Sequence, residues 1–388
     1  MMKPIKIDRR NFLISSAGGA TTLAIAGMLG DIQQATAQAD NLRAKIQNGI
    51  AWYNVEDWGV EGKGWTETAR YFDRLPAKAE KSVRDAVWNL SRHSAGMLTQ
   101  FATNSPSIHV RYKLLSANLA MPHMPATGVS GIDLYAENET GQLRWLQVVK
   151  PGSQEITTQI VSGIDPLSDN ANRKYAAYLP LYNGVDSLEI GVEEKSAFAP
   201  IAPRSDKPMV FYGTSIMHGA CGSRPGMSIT AILGRRLNRP TINLGFSGNG
   251  RMEKEVGDLL CELDPCVYAI DCLPNMDADL VGQNTEPLVR QLREKHAETP
   301  ILLVEDRSFT NATFLKSLRD RHAGSRAALR AAFERLQKEG VQNLFYLPGD
   351  DLLGHDGEAA TDGSHPSDLG MVRYADAYEP VLKKIFAA

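Results

Sequence analysis

The pattern of apolar residues changes near residue 200, and this change constrains the fold more than any other feature of the chain. Upstream of it, apolar and polar residues alternate in short runs; downstream, short apolar runs are separated by segments rich in helix-forming residues. A period of two indicates half-buried strands, whereas alternation of strands and helices indicates a parallel sheet covered by helices. The length of 388 residues also suits two domains better than one. The sequence therefore predicts two domains of different class.

The upstream domain is predicted to be an antiparallel β-sandwich. Turn signals such as Asn183-Gly184 separate the alternating runs, and no long amphipathic helix interrupts them. This pattern is typical of a sandwich with about eight strands, as in a jelly roll. The clearest runs are Ile108–Leu114, Gly131–Tyr135, Leu143–Val149, Tyr175–Leu179 and Leu188–Val192.

The downstream domain is predicted to be a layered α/β fold around a five-stranded parallel sheet, which should bind ligands at the carboxyl ends of its strands. The Pro- and Ala-rich join over 197–207 predicts a linker, so the two domains are expected over 40–196 and 208–388. The predicted strands are Met209–Tyr212, Thr241–Leu244, Cys266–Ile270, Ile301–Val304 and Leu344–Leu347. The predicted helices are Ser228–Asn238, Glu253–Glu262, Glu286–Lys295, Ser325–Glu339 and Leu369–Ile385.

Residues 1–39 predict an export signal. The pair Arg9-Arg10 precedes a mild apolar run over 12–30, and small residues follow at 35–39, as a signal peptidase requires. Paired arginines before such a run resemble a twin-arginine signal. A membrane-anchor helix is the alternative, which the serines and glycines of the run disfavour. We expect a mature start near Asp40, a periplasmic or secreted protein, and no stable membrane insertion.

Charge and cysteine content narrow the function classes further. The formal net charge of −3 gives no reason to expect nucleic acid as a partner. Four cysteines allow disulfides in an oxidising compartment, and Cys221 and Cys272 follow predicted strand ends that could bring them together. Buried free thiols are the equal alternative. The spacing fits no zinc framework, so we expect no metal and no cofactor.

Residues suited to acyl transfer follow several of the predicted strands. Ser215 follows the first, Gly248 the second and Asn275 the third, and Asp362 and His365 follow the fifth. Because carboxyl ends of parallel strands meet at one edge of a sheet, these residues should lie together. They supply a nucleophile, oxyanion donors, and a base with an orienting acid.

Other interpretations of this edge carry less weight. Each residue alone is common in turns and caps. The paired carboxylates Asp271 and Asp277 could indicate glycoside hydrolysis, but hydrogen bonding within the loop is the simpler interpretation. The glycines over 245–250 lack the lysine of a phosphate-binding loop. His218 is more consistent with packing beneath the site than with a metal.

In four blocks the chain resembles the SGNH (GDSL-like) hydrolases. Gly213-Thr-Ser215-Ile resembles the nucleophile block, Gly248 and Asn275 the next two, and Asp362-Gly-Ser-His365-Pro the last. Upstream, Gly131-Ile-Asp-Leu-Tyr135 resembles the G-x-D-L-Y signature of the sandwich domain that precedes some SGNH esterases. The resemblance implies a three-layer, flavodoxin-like hydrolase domain. Thr214 departs from the usual Asp, and Met276 stands where many members have Asp.

The resemblance implies a role for each site residue. Ser215 would attack an ester carbonyl, His365 would carry the proton, and Asp362 would orient the imidazole. The backbone N–H groups of Ser215 and Gly248 and the amide of Asn275 would hold the oxyanion. The long connection over 305–325 is the predicted lid or specificity loop.

An exported two-domain member suggests a carbohydrate O-acyl esterase acting on short-chain, mainly acetyl, esters. The expected partner is a small-molecule or saccharide ester. Two other functions stay open: a lipid or thioester acylhydrolase that uses the same triad, and a glycan-binding protein with a vestigial hydrolase site.

Overall fold

The computed structural model describes residues 42–387 of the chain. The predicted export signal over 1–39 lies outside the described residues. From Leu42 onward the chain forms one compact unit, in which two antiparallel sheets precede a parallel sheet covered by helices. Within residues 42–387, no helix is both long enough and apolar enough to cross a bilayer.

The first part is the predicted antiparallel β-sandwich, which is confirmed, with ten strands in the described chain where about eight were expected. The strands are β1 (Lys45–Gln47), β2 (Ile50–Asn54), β3 (Leu98–Thr103), β4 (Ser107–Leu114), β5 (Asp133–Glu137), β6 (Leu143–Val148), β7 (Glu155–Ser162), β8 (Arg173–Tyr178), β9 (Val185–Glu193) and β10 (Phe198–Ile201). One sheet has the order β1-β2-β9-β4-β7 and the other β10-β3-β8-β5-β6. Two short helices lie among them, α1 (Asp85–Ser91) and α2 (Ala126–Val129).

The sandwich core forms because alternate residues of each strand point inward. In β4, Ile108, Val110 and Tyr112 are at most 1% exposed, while the residues between them face outward. These side chains pack against Phe101 and Tyr175 of the facing sheet. Burying each such side chain contributes about 1.5–3 kcal/mol. Burial of these alternating apolar residues is therefore the main force that packs the two sheets together.

The second part is the predicted α/β layer. Its strands are β11 (Met209–Gly213), β12 (Thr241–Gly245), β13 (Val267–Asp271), β14 (Ile301–Val304) and β15 (Leu344–Leu347), all parallel in the order β12-β11-β13-β14-β15. The five predicted strands are confirmed to within one residue at each end. The helices are α3 (Ser215–His218), α4 (Ile229–Arg236), α5 (Lys254–Leu260), α6 (Ala278–Lys295), α7 (Lys316–Lys338) and α8 (Asp368–Ala387).

Helices cover both faces of this sheet, so its strands are buried on both sides. Met209 and Phe211 of β11 contribute to a core shared with α4 and α8. Val210 and Tyr212 point the other way, into a core shared with α5, α6 and α7. The predicted three-layer architecture is therefore confirmed, and the carboxyl ends of the five strands meet at one edge.

Two helices begin earlier than the sequence predicts. Helix α6 begins at Ala278 instead of Glu286, because Asp277 accepts a hydrogen bond from the N–H of Leu280 at 2.9 Å and caps it. Helix α7 begins at Lys316 instead of Ser325, where Arg321 donates to the carbonyl of Pro274 at 2.8 Å. These tertiary contacts outweigh weak local propensity. The connection predicted over 305–325 is therefore shorter and ends at residue 315.

Part of the predicted linker over 197–207 is a strand. Phe198–Ile201 forms β10 and pairs antiparallel with β3. Phe198 explains this difference, because its ring stacks on Tyr53 with the centroids 4.0 Å apart and lies 5.5 Å from the ring of Phe101. Pro200 is compatible with the pairing because β10 is an edge strand.

The G-x-D-L-Y segment joins the sandwich to the α/β layer. Asp133 is fully buried and accepts hydrogen bonds from the Nη1 of Arg224 at 3.0 Å and from the N–H of Gly226 at 2.8 Å. Tyr135, two residues along β5, also accepts from Arg224. A Cβ on Gly226 would lie 2.4 Å from the ring of Tyr135, so only glycine fits there. The motif thus fixes the sandwich against the segment that leads into α4.

All four cysteines are free thiols. Cys221 and Cys272 are buried, and Cys272 lies with its Sγ 3.6 Å from the carbonyl of Tyr212. The sequence left open disulfides or free thiols, and the structure has free thiols. Burial raises the pKa of Cys221 to about 11, so this thiol stays protonated at neutral pH.

Candidate active site

Ser215 lies where β11 ends, at the first residue of the short helix α3. The side chain of Thr214 accepts a hydrogen bond from the N–H of Ile216 at 3.3 Å and caps the helix, which gives this departure from the usual Asp a structural use. A Cβ on Gly213 would lie 2.8 Å from the carbonyl oxygen of Asp271, so the chain can turn here only with glycine. This tight turn holds Ser215 at the edge of the sheet, 7% exposed.

Ser215, His365 and Asp362 form a continuous chain of hydrogen bonds. The Oγ of Ser215 lies 2.8 Å from the Nε2 of His365, and the Nδ1 of His365 lies 2.7 Å from the Oδ2 of Asp362. A ring that donates from Nδ1 to a carboxylate has its acceptor at Nε2, the nitrogen that faces Ser215. The structure thus brings together the three residues that sequence analysis placed in one site, in the order that proton transfer requires.

Asp362 is held as a carboxylate. Its second oxygen, Oδ1, accepts hydrogen bonds from the N–H groups of Ser364 at 3.0 Å and His365 at 2.8 Å. Partial burial raises the pKa of Asp362, but the hydrogen bonds from His365 and Ser364 and the charge on the imidazole outweigh it and lower the pKa to about 2. The group that orients His365 is therefore ionised throughout the neutral range.

Gly248 lies in the loop after β12 with its backbone in the left-handed region, at a φ of 70°. A Cβ there would meet no atom within 4 Å, so the glycine faces open space. Its N–H makes no backbone hydrogen bond within residues 42–387, whereas the N–H groups of Asn249 and Gly250 both donate to the carbonyl of Phe246. The N–H of Gly248 therefore lies at an open surface without a backbone acceptor, as an oxyanion site requires.

Asn275 lies in the turn after β13, and its amide faces the same loop. With its oxygen toward the loop it accepts from the N–H groups of Asn249 at 3.0 Å and Gly250 at 3.2 Å. The reverse orientation gives one longer bond, from Nδ2 to the carbonyl of Phe246 at 3.4 Å. We assign the first orientation because it gives the amide two contacts with N–H groups, both shorter than the single contact of the reverse orientation. It leaves the NH₂ group of Asn275 available to donate to a ligand.

Arg84 is a contributor that sequence analysis missed. Its guanidinium donates to the Oδ1 of Asn249 at 2.7 Å and to the carbonyl of Asn249 at 3.1 Å, and it pairs with Glu253. Asn249 directly follows Gly248, so this residue from before the sandwich strand β3 holds the loop that presents Gly248. No local pattern in the sequence distinguishes Arg84 from other surface arginines.

A buried cluster lies behind Ser215. The ring of His218 stacks on Tyr182 with the centroids 4.1 Å apart, and its Nε2 lies 3.3 Å from the Nδ1 of His93. Arg74 is buried beside them and donates to the carbonyls of Asn243, Gly245, Leu90 and His93. Within the described residues no three His, Cys, Asp or Glu side chains come together as metal ligands would. His218 packs beneath the site, as sequence analysis favoured.

This cluster holds neutral imidazoles. Burial, and then the neighbouring Arg74, lower the pKa of His93 to about 3. The same two causes keep the pKa of His218 well below its ordinary value. The hydroxyl of Tyr182 donates to the carbonyl of Ser215 at 3.3 Å. The cluster therefore supports the backbone of Ser215 without carrying a titratable charge near neutral pH.

His123, from the sandwich part of the chain, lies close to His365. Its ring centroid lies 6.1 Å from that of His365, and the side chain is exposed. It lies in a tight turn closed by reciprocal backbone hydrogen bonds between Met121 and Met124, each at 3.0 Å. Met124 is 2% exposed and anchors the turn. The prolines at 122 and 125 signal a turn in the sequence, but nothing there indicates its distance from His365.

Two carboxylates near Asn275 take structural positions. Asp277 caps α6, as described above. Asp271 is buried and accepts a hydrogen bond from the hydroxyl of Tyr378 at 2.7 Å. The contacts of both residues agree with hydrogen bonding within the fold, the interpretation that sequence analysis preferred over paired catalytic carboxylates.

Comparisons with known proteins agree with this fold. Residues 206–383 match the family model of the GDSL-like lipase/acylhydrolases, and residues 50–198 match a model described as the N-terminus of SGNH-hydrolase-type esterases. A solved GDSL-like lipase from Bacteroides ovatus is 32% identical, with a TM-score of 0.82 over 87% of this chain and 98% of its own. These matches define an ester hydrolase. The chain belongs to the GDSL-like (SGNH) lipase/acylhydrolase family.

More distant structures share the fold. The salicylyl-acyltransferase SsfX3 from a tetracycline biosynthetic pathway is 18% identical, with a TM-score of 0.64 over 88% of this chain and 96% of its own. A family two carbohydrate esterase from Clostridium thermocellum, in complex with cellohexaose, is 15% identical, with a TM-score of 0.50 over 75% of this chain and 92% of its own. None of the curated proteins matches this sequence.

Proposed function

We propose that the protein is a serine esterase that removes short acyl groups, mainly acetyl, from carbohydrates through an acyl-enzyme. The observation that carries this proposal is the hydrogen-bond chain from Ser215 through His365 to Asp362, with distances of 2.8 and 2.7 Å. Its geometry fits a nucleophile activated by a base whose tautomer is fixed by an acid.

In the proposed reaction, the Oγ of Ser215 attacks the ester carbonyl while the Nε2 of His365 takes its proton. The tetrahedral oxyanion receives hydrogen bonds from the N–H groups of Ser215 and Gly248 and from the amide of Asn275. His365 then returns the proton to the leaving alcohol, and water hydrolyses the acyl-enzyme by the same steps in reverse. Asp362, ionised by its hydrogen bonds, stabilises the imidazolium in both halves.

Two observations support a saccharide as the alcohol. The carbohydrate esterase that shares this fold binds cellohexaose in its crystal. In this chain, the exposed imidazole of His123 offers a polar group beside His365, the residue that would protonate the leaving alcohol. A sugar leaving group, with several hydroxyls, suits such a contact better than a plain alkyl alcohol does.

A fluorophosphonate probe tests the nucleophile. The wild-type protein should be labelled, Ser215→Ala should not, and Ser228→Ala, a buried serine at the start of α4, should be labelled like wild type. Release of acetate from peracetylated xylose and from acetylated xylo-oligosaccharides then tests the substrate class. Labelling of Ser215→Ala would refute the assignment of the nucleophile, whereas labelling without acetate release would refute only the substrate.

A lipid or thioester acylhydrolase is a second candidate, favoured by the apolar end of the connection over 305–315. Phe314 is 85% exposed and Leu315 is 44% exposed. This connection contacts the segment that carries His365, because the N–H of Thr310 donates to the carbonyl of Gly363 at 2.9 Å. Turnover of 4-nitrophenyl acetate against the dodecanoate decides between the candidates, since a higher kcat/KM for the long chain supports the second.

The third reading, a glycan-binding protein with a vestigial site, conflicts with a complete hydrogen-bond chain at Ser215. It predicts that the purified protein hydrolyses no simple acetyl ester and that Ser215→Ala binds glycan as the wild type does. A Ser215-dependent rate on 4-nitrophenyl acetate excludes it.

We also propose that the protein is exported by a twin-arginine route. The support is the pair Arg9-Arg10, the mild apolar run and the small residues at 35–39. Exported protein should begin near Asp40, and Arg9→Lys/Arg10→Lys should remain uncleaved in the cytoplasm. N-terminal sequencing of the exported fraction measures this, and an intact Met1 in that fraction contradicts the proposal.

A further inference from the structure

A groove lies between helix α4 and the outer face of the sheet that contains β5, β6 and β8, with a volume of about 950 Å³. Arg144, Trp145 and Lys174 line it from the sheet, and Arg224, Arg235 and Arg239 line it from the opposite side. We call it the basic groove. None of the five residues assigned to the ester site lines it.

The charges along the basic groove do not balance. Seven arginine and lysine side chains line it against three glutamates. Two of the glutamates are engaged, because Glu61 pairs with Arg204 and Glu379 pairs with Arg236. Two aspartates that do not line the groove also pair with its cations, Asp133 with Arg224 and Asp376 with Arg236. Within residues 42–387 the other four cations, Arg144, Lys174, Arg235 and Arg239, form no salt bridge, and Glu137 is the remaining carboxylate. The groove therefore carries an excess of positive charge that an anionic ligand would neutralise.

Aromatic rings in the basic groove are held in fixed positions. Trp145 is 47% exposed, yet its Nε1 donates to the buried Oδ1 of Asp133 at 2.9 Å. The guanidinium of Arg224 lies 5.1 Å from the same ring. Arg235 is fixed as well, since its guanidinium lies 4.3 Å over the ring of Tyr135. A half-exposed indole held by a hydrogen bond is a stacking platform for a flat apolar surface, and the arginine beside it is oriented in advance.

We propose that the basic groove binds an acidic oligosaccharide, with a sugar ring stacked on Trp145 and its carboxylates paired with Lys174 and Arg239. The volume of about 950 Å³ falls within the range of roughly 300–1,000 Å³ typical of small-molecule sites. A uronic acid combines the two chemistries present: a ring with apolar C–H faces, and a carboxylate. An inorganic anion would use the cations and leave Trp145 without a role. The groove binds this ligand whether or not the protein hydrolyses saccharide esters.

Calorimetric titration of the intact protein with tetragalacturonate tests the proposal. We expect binding that weakens with added salt, because the contacts are partly ionic. Lys174→Gln/Arg239→Gln and Trp145→Ala should each raise the Kd at least tenfold. The control Lys150→Gln/Lys195→Gln removes the same charge from exposed sandwich positions outside the groove and should leave the Kd unchanged. Hydrolysis of 4-nitrophenyl acetate should stay at the wild-type rate in all three variants, and the two double variants should melt at the wild-type temperature. Trp145→Ala also removes the hydrogen bond to the buried Asp133 and should melt lower.

Three results would overturn the proposal. The first is binding of tetragalacturonate that the groove variants do not weaken. The second is equal binding of cellotetraose, which would show that carboxylates are not recognised. The third is displacement of tetragalacturonate by inorganic phosphate at the same concentration, with Trp145→Ala without effect, which would show that the groove recognises charge alone. If the groove variants lose tetragalacturonate binding but still hydrolyse 4-nitrophenyl acetate, the groove is supported as a site separate from the ester site.

Discussion

The two sides of the proposed active site differ in what they contribute. The α/β layer supplies the candidate reacting groups, each on a short connection after a strand: Ser215 after β11, Gly248 after β12 and Asn275 after β13. The chain before β11 supplies residues that contact these connections instead. Arg84 holds the loop of Gly248, and Tyr182 bonds the carbonyl of Ser215.

The α/β layer therefore supplies the reacting groups, and the chain before β11 holds them in position. An oxyanion site accelerates acyl transfer only if its donors are already fixed when charge develops. Gly248 lies in a loop with an open face, which Arg84 restrains in addition to the loop's own hydrogen bonds; the buried Arg74 bonds the carbonyls of Asn243 and Gly245 at the end of β12. Changes on the α/β side should therefore remove steps of the reaction, whereas changes on the sandwich side should loosen the geometry.

The largest effect is expected from Asp362→Asn. The amide cannot hold His365 in the tautomer that accepts a proton from Ser215, so kcat should fall about 10⁴-fold with KM and melting temperature little changed. Hydrolysis of 4-nitrophenyl acetate measures it. The control is Asp356→Asn, which removes a carboxylate paired with Arg373 in the same segment and should leave kcat unchanged. A loss in kcat below tenfold for Asp362→Asn contradicts the assigned orienting role.

The next effect is expected from Asn275→Ala on the same side. Loss of one oxyanion donor should lower kcat by about 10²–10³-fold, because the hydrogen bond strengthens as charge develops on the oxygen. Steady-state kinetics on acetate esters should show this loss in kcat and leave KM nearly unchanged. Asn284→Ala, which removes a side chain that donates to the carbonyl of Arg251, is the matched control. Equal losses in the two variants would indicate a general effect of loosening the loop.

Much of the α/β side could be predicted because it depends on local rules. Strands buried on both faces produce continuous apolar runs, so β14 and β15 were predicted with their bounds. Parallel strands present their carboxyl ends at one edge, so motifs far apart in sequence, such as Ser215 and His365, were placed together. The same rule, that site residues follow the carboxyl ends of strands, also identified Gly248 and Asn275, whose geometry supports an oxyanion site.

The sandwich side was less predictable because its contributions depend on tertiary contacts. Phe198 forms an edge strand only because the rings of Tyr53 and Phe101 lie where they do. Arg84 contacts Asn249 across 165 residues of sequence, and no period or motif encodes such a pair. Similarly, His123 lies beside His365 only after the two parts dock, which depends on Asp133 meeting Gly226.

Arg84→Ala tests the restraint from the sandwich side. Losing its two hydrogen bonds to Asn249 should lower kcat about tenfold, the equivalent of one hydrogen bond to a charged group. Lys78→Ala is a close control, because Lys78 also forms a salt bridge to the α/β layer, with Glu262, but does not touch the loop of Gly248. Both variants should melt near the wild-type temperature, since exposed pairs contribute little to stability. Equal kcat values in the two variants would contradict the proposal that Arg84 restrains the loop of Gly248.

A smaller effect is expected from His123→Ala. Losing one polar contact of about 1 kcal/mol to the alcohol should raise KM roughly fivefold for acetylated xylo-oligosaccharides and leave 4-nitrophenyl acetate unaffected. His123→Gln, which keeps a donor and an acceptor, should recover most of the loss. His355→Ala, an exposed histidine paired with Asp351, serves as the control. An equal change on both substrates would mean that His123 acts on the site as a whole and not on the alcohol.

The smallest effect concerns stability and contrasts the buried aspartates of the two sides. Asp133 in the sandwich forms a salt bridge with Arg224, whereas within residues 42–387 Asp271 forms no salt bridge and its carboxylate accepts a hydrogen bond from the hydroxyl of Tyr378. Burial raises the pKa of Asp271 to about 7, so the folded state binds a proton that the unfolded state releases above pH 4. The contribution of Asp271 to stability is therefore full below pH 4 and is lost as the pH rises to 7.

Asp271→Asn mimics the protonated carboxyl and should remove this pH dependence. Its melting temperature should exceed that of the wild type only slightly at pH 5 and by a few degrees at pH 8, because the folded wild type loses stability as the pH rises from 4 to 7 and the variant does not. Asp279→Asn, an exposed aspartate in the first turn of α6, should show the same small difference at both pH values. A pH-independent difference for Asp271→Asn would mean that the substitution acts through packing against Tyr378, and the contrast between the two buried aspartates would then lie in their contacts and not in their charge.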